Sequence, residues 1–265
     1  MFTVTDSVLD IGPNSDGRVS VPDSVPQNLT RSCGFTISGM FYVDDSLVDV
    51  NSLAQLTLLQ AGYDQSNVMI DISLKSRTEK NQLYLSAMIR DADGDQLDIP
   101  ETESDLDEQG MYTDTFFAVK AGQWHVFALI VYDSGEVATW LNGASKTALN
   151  PDLPLSQRRF QKARNLHTFA TASPDDDNLL LGDLLASNSY LEPFMYIGEG
   201  FKGQIDEFRI YKRTFDDPEE IWKIMLSPLD VASSSSPDLL AYYKFNDVEG
   251  VSIANEPEVS SGNNV

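Results

Sequence analysis

The sequence YIGEGFKGQIDEFRIYKRTFDDPEEIWKIML, residues 196–226, contains the clearest information on how this chain folds. Its glycines separate short runs of aromatic, β-branched and charged residues, which is the pattern of strands joined by turns. The run from Gln204 to Tyr211 predicts a strand with at least one covered face. One of the two aspartates before Pro218 can cap a helix, because proline fits the first helical position and the glutamates that follow favour the positive end of the helix dipole. We therefore expect two short strands and then one short helix near residues 217–226.

Three segments of the chain resemble one protein family. FKGQIDEFRIYKRTF at 201–215, with the DPEEI that follows it, resembles the closing motif of laminin-G-like, concanavalin-A-like jelly-roll domains. SDGRVSVPDS at 15–24 with FTISGMFYV at 35–43 resembles the opening of these domains, and GQWHVFALIVYDSGEVATWLNG at 122–143 resembles their middle. The resemblance implies an all-β fold: a two-sheet antiparallel β-sandwich (jelly roll) with one short helix near 217–226. Such folds serve lectins, adhesion modules, enzymes and virion proteins, so the fold leaves the function open.

Alternation along the chain predicts the strands. In the 35–43 run, Phe35, Ile37 and Phe41 fall on one side, and the residues between them on the other. Asp91–Asp95 is interpreted as a hairpin turn, since Thr102 stands where a calcium loop would need glutamate. Further strands are expected at Leu53–Gly62, Val68–Leu74, Leu83–Arg90, Gln96–Ile99, Trp124–Tyr132, Val137–Leu141, Leu179–Gly182, Phe194–Gly198 and Gln204–Tyr211.

Composition limits the classes of function. The 265 residues carry a formal net charge of −23, which disfavours binding to nucleic acid because the surface repels phosphate. Cys33 is the single cysteine, so no internal disulfide can form. No run approaches the roughly 18 apolar residues of a membrane span. Residues 1–6 lack the features of a signal peptide, so we expect that an export signal was removed or never existed.

Catalysis is disfavoured by the residues at hand. His125 lies beside Trp124 in a predicted strand, where a packed histidine is expected more often than a base, and the other histidine is His167. Glu101, Glu103 and Asp105 have a spacing similar to glycosidase carboxylates, but they follow a proline and lack hydrophobic alternation, so they indicate a loop. We expect no enzymatic activity.

The resemblance also implies a structural calcium ion. Jelly-roll relatives often hold calcium at a sheet edge with carboxylates, and the matching positions here are Asp16 in the opening turn and Asp206 in the closing motif. Surface polarity on a turn and a strand explains the same two residues equally well. Tyr190 and Tyr63 are isolated aromatic residues that could stack on a sugar ring, although scattered exposed aromatics are common.

The end of the sequence is unusual for the family. Residues 1–226 form the predicted domain, 227–238 a Ser-rich linker, and LLAYYKFND within 239–265 resembles the strand that normally opens such a domain. This displaced strand could close its own sandwich, be donated to a neighbouring subunit, or begin a second repeat. The expected partners are accordingly a glycan or a protein, and a homo-oligomer formed through 239–265.

The sequence thus predicts a non-enzymatic recognition or structural module that acts in adhesion, glycan binding or assembly. The expected location is extracellular, or on the surface of a virion or appendage. The alternative is a carbohydrate-binding domain of a polysaccharide-degrading enzyme.

Overall fold

The computed structural model describes residues 9–11, 18–44, 55–77, 82–92, 94–99, 118–141, 166–168, 180–215, 217, 220–221, 223–224 and 237–245. These residues form two antiparallel sheets, which confirms the predicted all-β sandwich. The strands are β1 Leu9–Ile11, β2 Val19–Ser20, β3 Phe35–Val43, β4 Gln55–Tyr63, β5 Asn67–Arg77, β6 Gln82–Arg90, β7 Gln96–Ile99, β8 Ala118–Val119, β9 Trp124–Val131, β10 Glu136–Leu141, β11 Leu166–Thr168, β12 Pro193–Ile197, β13 Gly203–Tyr211 and β14 Leu239–Tyr243. A short helix, α1, spans Leu181–Ser187.

Within the described residues, each sheet contains seven strands. Sheet A has the order β1-β13-β3-β9-β10-β11, with β14 also paired to β13. Sheet B has the order β2-β12-β4-β5-β6-β7, with β8 paired to β6. The inward faces of the two sheets share one hydrophobic core, to which Phe41, Ile72, Phe127, Ile197 and Phe208 all contribute while almost completely buried. As the alternation predicted, one side of β3, β5, β9, β12 and β13 faces this core.

A second, smaller apolar cluster covers the outward face of sheet A. Ile130, Trp140 and Tyr242 lie on this face and pack with Phe215 and Ile221. Glu220, Ile221, Lys223 and Ile224 are helical, and Ile221 N–H donates to the Asp217 carbonyl at 3.0 Å, so the helix predicted near 217–226 is present. We call these residues the outer helical segment. Because its apolar side lies on the sheet, this face is closed by hydrophobic burial.

The predicted hairpin turn at Asp91–Asp95 is confirmed, and a second turn joins the strands predicted at Trp124–Tyr132 and Val137–Leu141. Between β6 and β7 the Asp91 carboxylate accepts the Asp95 N–H at 2.9 Å, and Gly94 N–H donates to the Asp91 carbonyl at 3.2 Å. Between β9 and β10, Gly135 takes a positive φ of 83° and donates to the Tyr132 carbonyl at 3.0 Å. Both turns set a register in which the apolar side chains of the two strands share the core.

The prediction of a strand at Leu179–Gly182 is wrong, because Leu181 and Gly182 begin α1. The Asp183 carboxylate accepts the N–H groups of Leu180 at 3.2 Å and of Arg31 at 2.8 Å, which satisfies donors at the helix start. Gly182 lies so close to the backbone that a Cβ there would meet the Leu29 carbonyl carbon at 2.8 Å. The contacts with Arg31 and Leu29 join residues that are far apart in the sequence. An apolar run such as LLLGDLL does not reveal them.

β13 has an unusual edge. Its first residues, Gly203–Ile205, pair with β1, and its later residues, Phe208–Tyr211, pair with β14. The two short strands therefore lie one after the other along the same edge. The irregularity in the pairing of β13 with β3 falls between Asp206 and Arg209, where Glu207 takes a positive φ of 50°.

Candidate functional site

The outward face of sheet B differs from that of sheet A because its side chains are largely polar. Along β5 and β6 the residues that alternate with the core residues are Asp71, Ser73, Lys75, Tyr84, Ser86 and Met88. Register places them in rows: Gln60–Asp71–Met88, Ser73–Ser86 and Lys75–Tyr84. We call these residues, with Gln60 of β4, the polar face. The described part of the chain lays no apolar cluster over it comparable to that on sheet A.

The centre of the polar face is buried although it points away from the hydrophobic core. Asp71 is 7% exposed, Ser86 4% and Ser73 0%. The Gln60 amide donates to the Asp71 carboxylate at 2.8 Å. By contrast, no described residue offers the Ser73 Oγ a hydrogen-bond partner. A buried hydroxyl without a partner is less stable than one in water, so the described part of the chain leaves this atom as one further polar group on the face.

An ordered stack of side chains borders the polar face on β12. The Phe194 and Tyr196 rings are stacked with centroids 5.4 Å apart, and the Arg18 guanidinium lies 3.8 Å from the Tyr196 centroid. Arg18 in turn pairs with Glu199 at 2.7 Å. Gly62 makes room for this stack, because a Cβ there would meet the Phe194 ring at 3.0 Å and the Asn67 carbonyl oxygen at 2.0 Å. Tyr196 and Gln60 are register partners, so the stack adjoins the Gln60–Asp71 pair directly.

The chemistry of this region suits recognition of a polar, uncharged molecule. An amide offers both donors and acceptors, a carboxylate accepts, and serine hydroxyls do both. The neighbouring aromatic rings supply apolar area of defined orientation. Sites for small ligands combine an apolar wall with a few placed polar groups, and here both are held by strands instead of loops.

The structure describes one of the two proposed calcium ligands, Asp206. Asp206 is 7% exposed on β13, and its carboxylate accepts the Glu207 N–H at 2.8 Å. Asp16 lies outside the described residues. Among the residues that the structure describes, no group of three or more side chains could hold a metal ion. Calcium binding stays a prediction.

Residues considered for catalysis fall into two groups. Glu101, Glu103, Asp105 and the position of Thr102 lie outside the described residues. His125 is 2% exposed, stacks on Phe41 with ring centroids 5.3 Å apart, and places its Nε2 2.9 Å from the Lys120 carbonyl oxygen. This is the packed histidine that the sequence predicted. His167 lies on the edge strand β11, and Cys33 is exposed.

The two isolated tyrosines occupy one end of sheet B. Tyr190 is 92% exposed, whereas Tyr63 is half-buried against the core. The loop that carries Tyr190 is held to the β4–β5 turn, since Asp64 N–H donates to the Glu192 carbonyl at 2.8 Å and Glu192 N–H to the Asp64 carboxylate at 3.2 Å. The sequence did not single out Tyr196, although its alternation with Met195 and Ile197 was a usable signal.

A buried polar cluster on the outward face of sheet A was also missed. Arg209 is 1% exposed; it donates to the Ile224 carbonyl and to the Glu207 carboxylate, which also accepts the Tyr242 hydroxyl at 2.6 Å. We call Glu207, Arg209 and Tyr242 the buried triad. Burial raises the pKa of Tyr242 above its usual value, and the bond to Glu207 raises it further. The triad joins β13, β14 and the outer helical segment, so its contacts are structural.

Neither a family model nor a curated protein matches the sequence. Among solved structures, the chain is similar to a candidate carbohydrate-binding protein from Bacteroides ovatus, with a TM-score of 0.44 and 15% identity over 86% of this chain and 50% of that one. It is also similar to the binding domain of botulinum neurotoxin serotype D, with a TM-score of 0.40 and 13% identity over 77% and 38% of the two chains.

A third similar structure is an alginate lyase from Pseudomonas aeruginosa, with a TM-score of 0.32 and 12% identity over 68% and 65% of the two chains. The chain spans less than two thirds of the length of each of these three proteins. Similarities of this degree carry no argument about a ligand. No helix within the described ranges is long and apolar enough to cross a membrane.

Proposed function

We propose that this chain is a non-enzymatic glycan-recognition module and that the polar face of sheet B, with the bordering Tyr196, holds the sugar. The observation that supports this most is the register of Tyr196, Gln60 and Asp71 on three neighbouring strands, which places an oriented ring, an amide and a carboxylate side by side. A sugar presents many hydroxyls, each both donor and acceptor, and these match an amide, a carboxylate and a serine.

The aromatic border supports the same class of ligand. The rings of Phe194 and Tyr196 are fixed by each other and by Arg18, so little side-chain entropy is lost when a ligand packs beside them. A sugar also has apolar C–H faces, and these can pack against an aromatic ring while the hydroxyls bond to polar groups. A purely apolar ligand would leave the Asp71 carboxylate without water, which is costly.

Charge favours a neutral sugar over an acidic one. The net charge of −23 repels uronates and sulfated sugars at long range, and on the polar face itself the Lys75 cation is offset by the Asp71 carboxylate. We place the module outside the cell, or on a virion or appendage surface, where adhesion through neutral glycans would operate. The alternative, a carbohydrate-binding domain of a polysaccharide-degrading enzyme, would use the same face.

The test is binding of short neutral oligosaccharides of glucose, galactose, mannose and xylose, followed by isothermal calorimetry and by the shift in Tm. We expect at least one of these sugars to bind and to raise Tm by mass action. Tyr196→Ala should weaken that binding about tenfold or more, because the packed ring is lost. Tyr190→Ala is the matched control and should leave the affinity unchanged, since Tyr190 lies on a loop beyond the polar face.

An oligouronate should bind more weakly than its neutral counterpart at low salt. The proposal fails if no neutral oligosaccharide binds, or if Tyr190→Ala abolishes binding and Tyr196→Ala does not. Hydrolysis or cleavage of any of these sugars by the chain would overturn its non-enzymatic part.

A further inference from the structure

β14 lies along the edge of β13 from Phe208 to Tyr211. We call this edge, with the side chains that β14 contacts, the β13 groove. β14 occupies the edge of β13 with Phe208 opposite Tyr243, Arg209 opposite Tyr242 and Ile210 opposite Ala241. The edge ends where the Lys212 N–H donates to the Asp238 carbonyl at 2.8 Å. Toward the other end it meets the irregular pairing at Glu207, beyond which β1 takes over. The strand-binding edge of β13 is therefore delimited at both ends.

β14 contributes side chains to both apolar clusters. Ala241 and Tyr243, with Phe245 just beyond the strand, enter the central core, and all three are at most 2% exposed. Leu239 and Tyr242 enter the outer cluster on sheet A. An empty groove would thus expose backbone donors, backbone acceptors and apolar surface from two clusters at once, which makes it a strong acceptor for a strand of this sequence.

The groove also selects its strand by polar contacts. The Tyr242 hydroxyl donates to the Glu207 carboxylate at 2.6 Å, and the Arg209 guanidinium lies 5.0 Å from the Tyr242 ring centroid. Glu207 holds this position in a left-handed backbone conformation that few non-glycine residues adopt. A strand without a tyrosine at this register would leave the Glu207 carboxylate and the buried Arg209 with fewer contacts. These polar contacts of the groove therefore match a tyrosine at the position of Tyr242.

The connection to β14 allows the same contacts to form between copies. About a dozen residues separate Ile224 from Asp238, including four consecutive serines, and such a segment can extend about 40 Å. Every copy of the chain carries both the groove and the strand that fits it, so two copies can satisfy all contacts by exchange. We propose that the β13 groove accepts residues 239–245 of a second copy of this chain, which gives a strand-exchanged dimer.

The share of strand-exchanged dimer should depend on the protein concentration during refolding. Within one chain the linker keeps the strand at a high effective concentration, on the order of millimolar, so dilute protein retains its own strand. Exchange requires β14 to leave its groove, and it should therefore occur during folding or during slow opening of this edge. Refolding at high protein concentration should give dimers, and dilution alone should not dissolve them quickly.

Disulfide trapping of full-length variants tests the exchange. Ile210 and Ala241 are register partners, so Ile210→Cys in one population and Ala241→Cys in another, both with Cys33→Ser, can join only between chains. The two populations are unfolded together in urea, refolded at high concentration and oxidised. We expect a disulfide-linked heterodimer whose yield rises with protein concentration. As control, Ile130→Cys and Ala138→Cys are partners across the short β9–β10 turn and should give no such heterodimer.

The double variant Ile210→Cys/Ala241→Cys shows that the pair can form a bond at all. If the double variant links within one chain at every concentration and the mixed populations give no heterodimer, the exchange is overturned. Light scattering measures the mass of the unmodified chain after refolding at high protein concentration, and it requires no added cysteines. A monomer at all concentrations would also overturn the exchange, whereas a dimer whose share rises with the protein concentration during refolding would support it. Neither readout depends on glycan binding.

Discussion

The outward faces of the two sheets differ in the side chains that cover them. On sheet A the face is closed by an apolar cluster under the outer helical segment, and the buried Arg209 donates from its two terminal nitrogens to Ile224 and Glu207. On sheet B the face consists of polar side chains, of which Ser73 is buried without a described partner. A face that is covered by its own apolar cluster maintains the fold, whereas a polar face without such a cover among the described residues can bind a ligand.

Replacing Arg209 should have the largest effect on this contrast. Arg209→Met leaves the Glu207 carboxylate without its cation and frees the Ile224 carbonyl, so we expect a loss of about 3–5 kcal/mol in the free energy of unfolding. Arg213→Met is the control, since Arg213 and Glu220 form an exposed pair at 3.1 Å worth less than about 1 kcal/mol. Urea denaturation measures both. Equal losses in the two variants would show that the buried triad does not hold the outer helical segment.

Tyr242 and Tyr243 are adjacent, but only the Tyr242 hydroxyl has a described hydrogen-bond partner. Tyr242→Phe removes the donor to Glu207 and should cost about 1–2 kcal/mol. Tyr243→Phe should cost close to nothing or stabilise, because the Tyr243 hydroxyl is buried in the central core without a described partner. Chemical denaturation of the pair measures the difference. If Tyr243→Phe proves the more damaging change, the hydrogen bonding on sheet A has been assigned wrongly.

The same tyrosines predict the response to alkaline pH. Burial raises the pKa of Tyr211, Tyr242 and Tyr243 above the usual value of about 10, so the folded chain keeps protons that the unfolded chain releases. Their contribution to stability is therefore complete below about pH 10 and declines as pH rises above it. We expect Tyr243→Phe to make the decline above pH 10 shallower by about one proton. An unchanged slope would contradict the burial of that hydroxyl.

The smallest effects on stability are expected when two buried serines, one on the outward face of each sheet, are replaced. Ser38 on sheet A and Ser73 on sheet B are each 0% exposed with an Oγ that lacks a described partner. Both Ser→Ala changes should alter the free energy of unfolding by less than about 0.5 kcal/mol, because no described contact is lost. Calorimetry with the bound oligosaccharide should show weaker affinity for Ser73→Ala alone. Weakening by Ser38→Ala instead would move the site to sheet A.

Much of the fold could be predicted from local sequence. The alternation in 35–43 assigned the two sides of β3 correctly, and the Asp-Pro-Glu-Glu run located the outer helical segment. Helix α1 could not be predicted, because it depends on the contacts of Gly182 with Leu29 and of Asp183 with Arg31, which are distant in sequence. The division into 1–226, 227–238 and 239–265 stays a prediction, as does calcium at Asp16 and Asp206.

The candidate site was less accessible to sequence reasoning. Val68–Leu74 was predicted as a strand, but the neighbours of its polar residues Asp71 and Ser73 depend on irregular pairing of β4 with β5 near Leu59 and Gly62. A one-residue error there would exchange the two faces. The buried triad joins residues 35 positions apart, Glu207 and Tyr242, and no local pattern links them. Tyr190, which the sequence singled out, is exposed on a loop, whereas Tyr196 borders the polar face.

The most direct test of the account is to locate the bound sugar by amide NMR on isotopically labelled protein. A neutral oligosaccharide that binds should shift amide signals of β4, β5, β6 and β12, with the largest changes near Gln60, Ser73 and Tyr196. Signals of sheet A around Arg209 should stay in place. Shifts confined to sheet A, or to the loop around Tyr190, would contradict the assignment of the polar face as the glycan site.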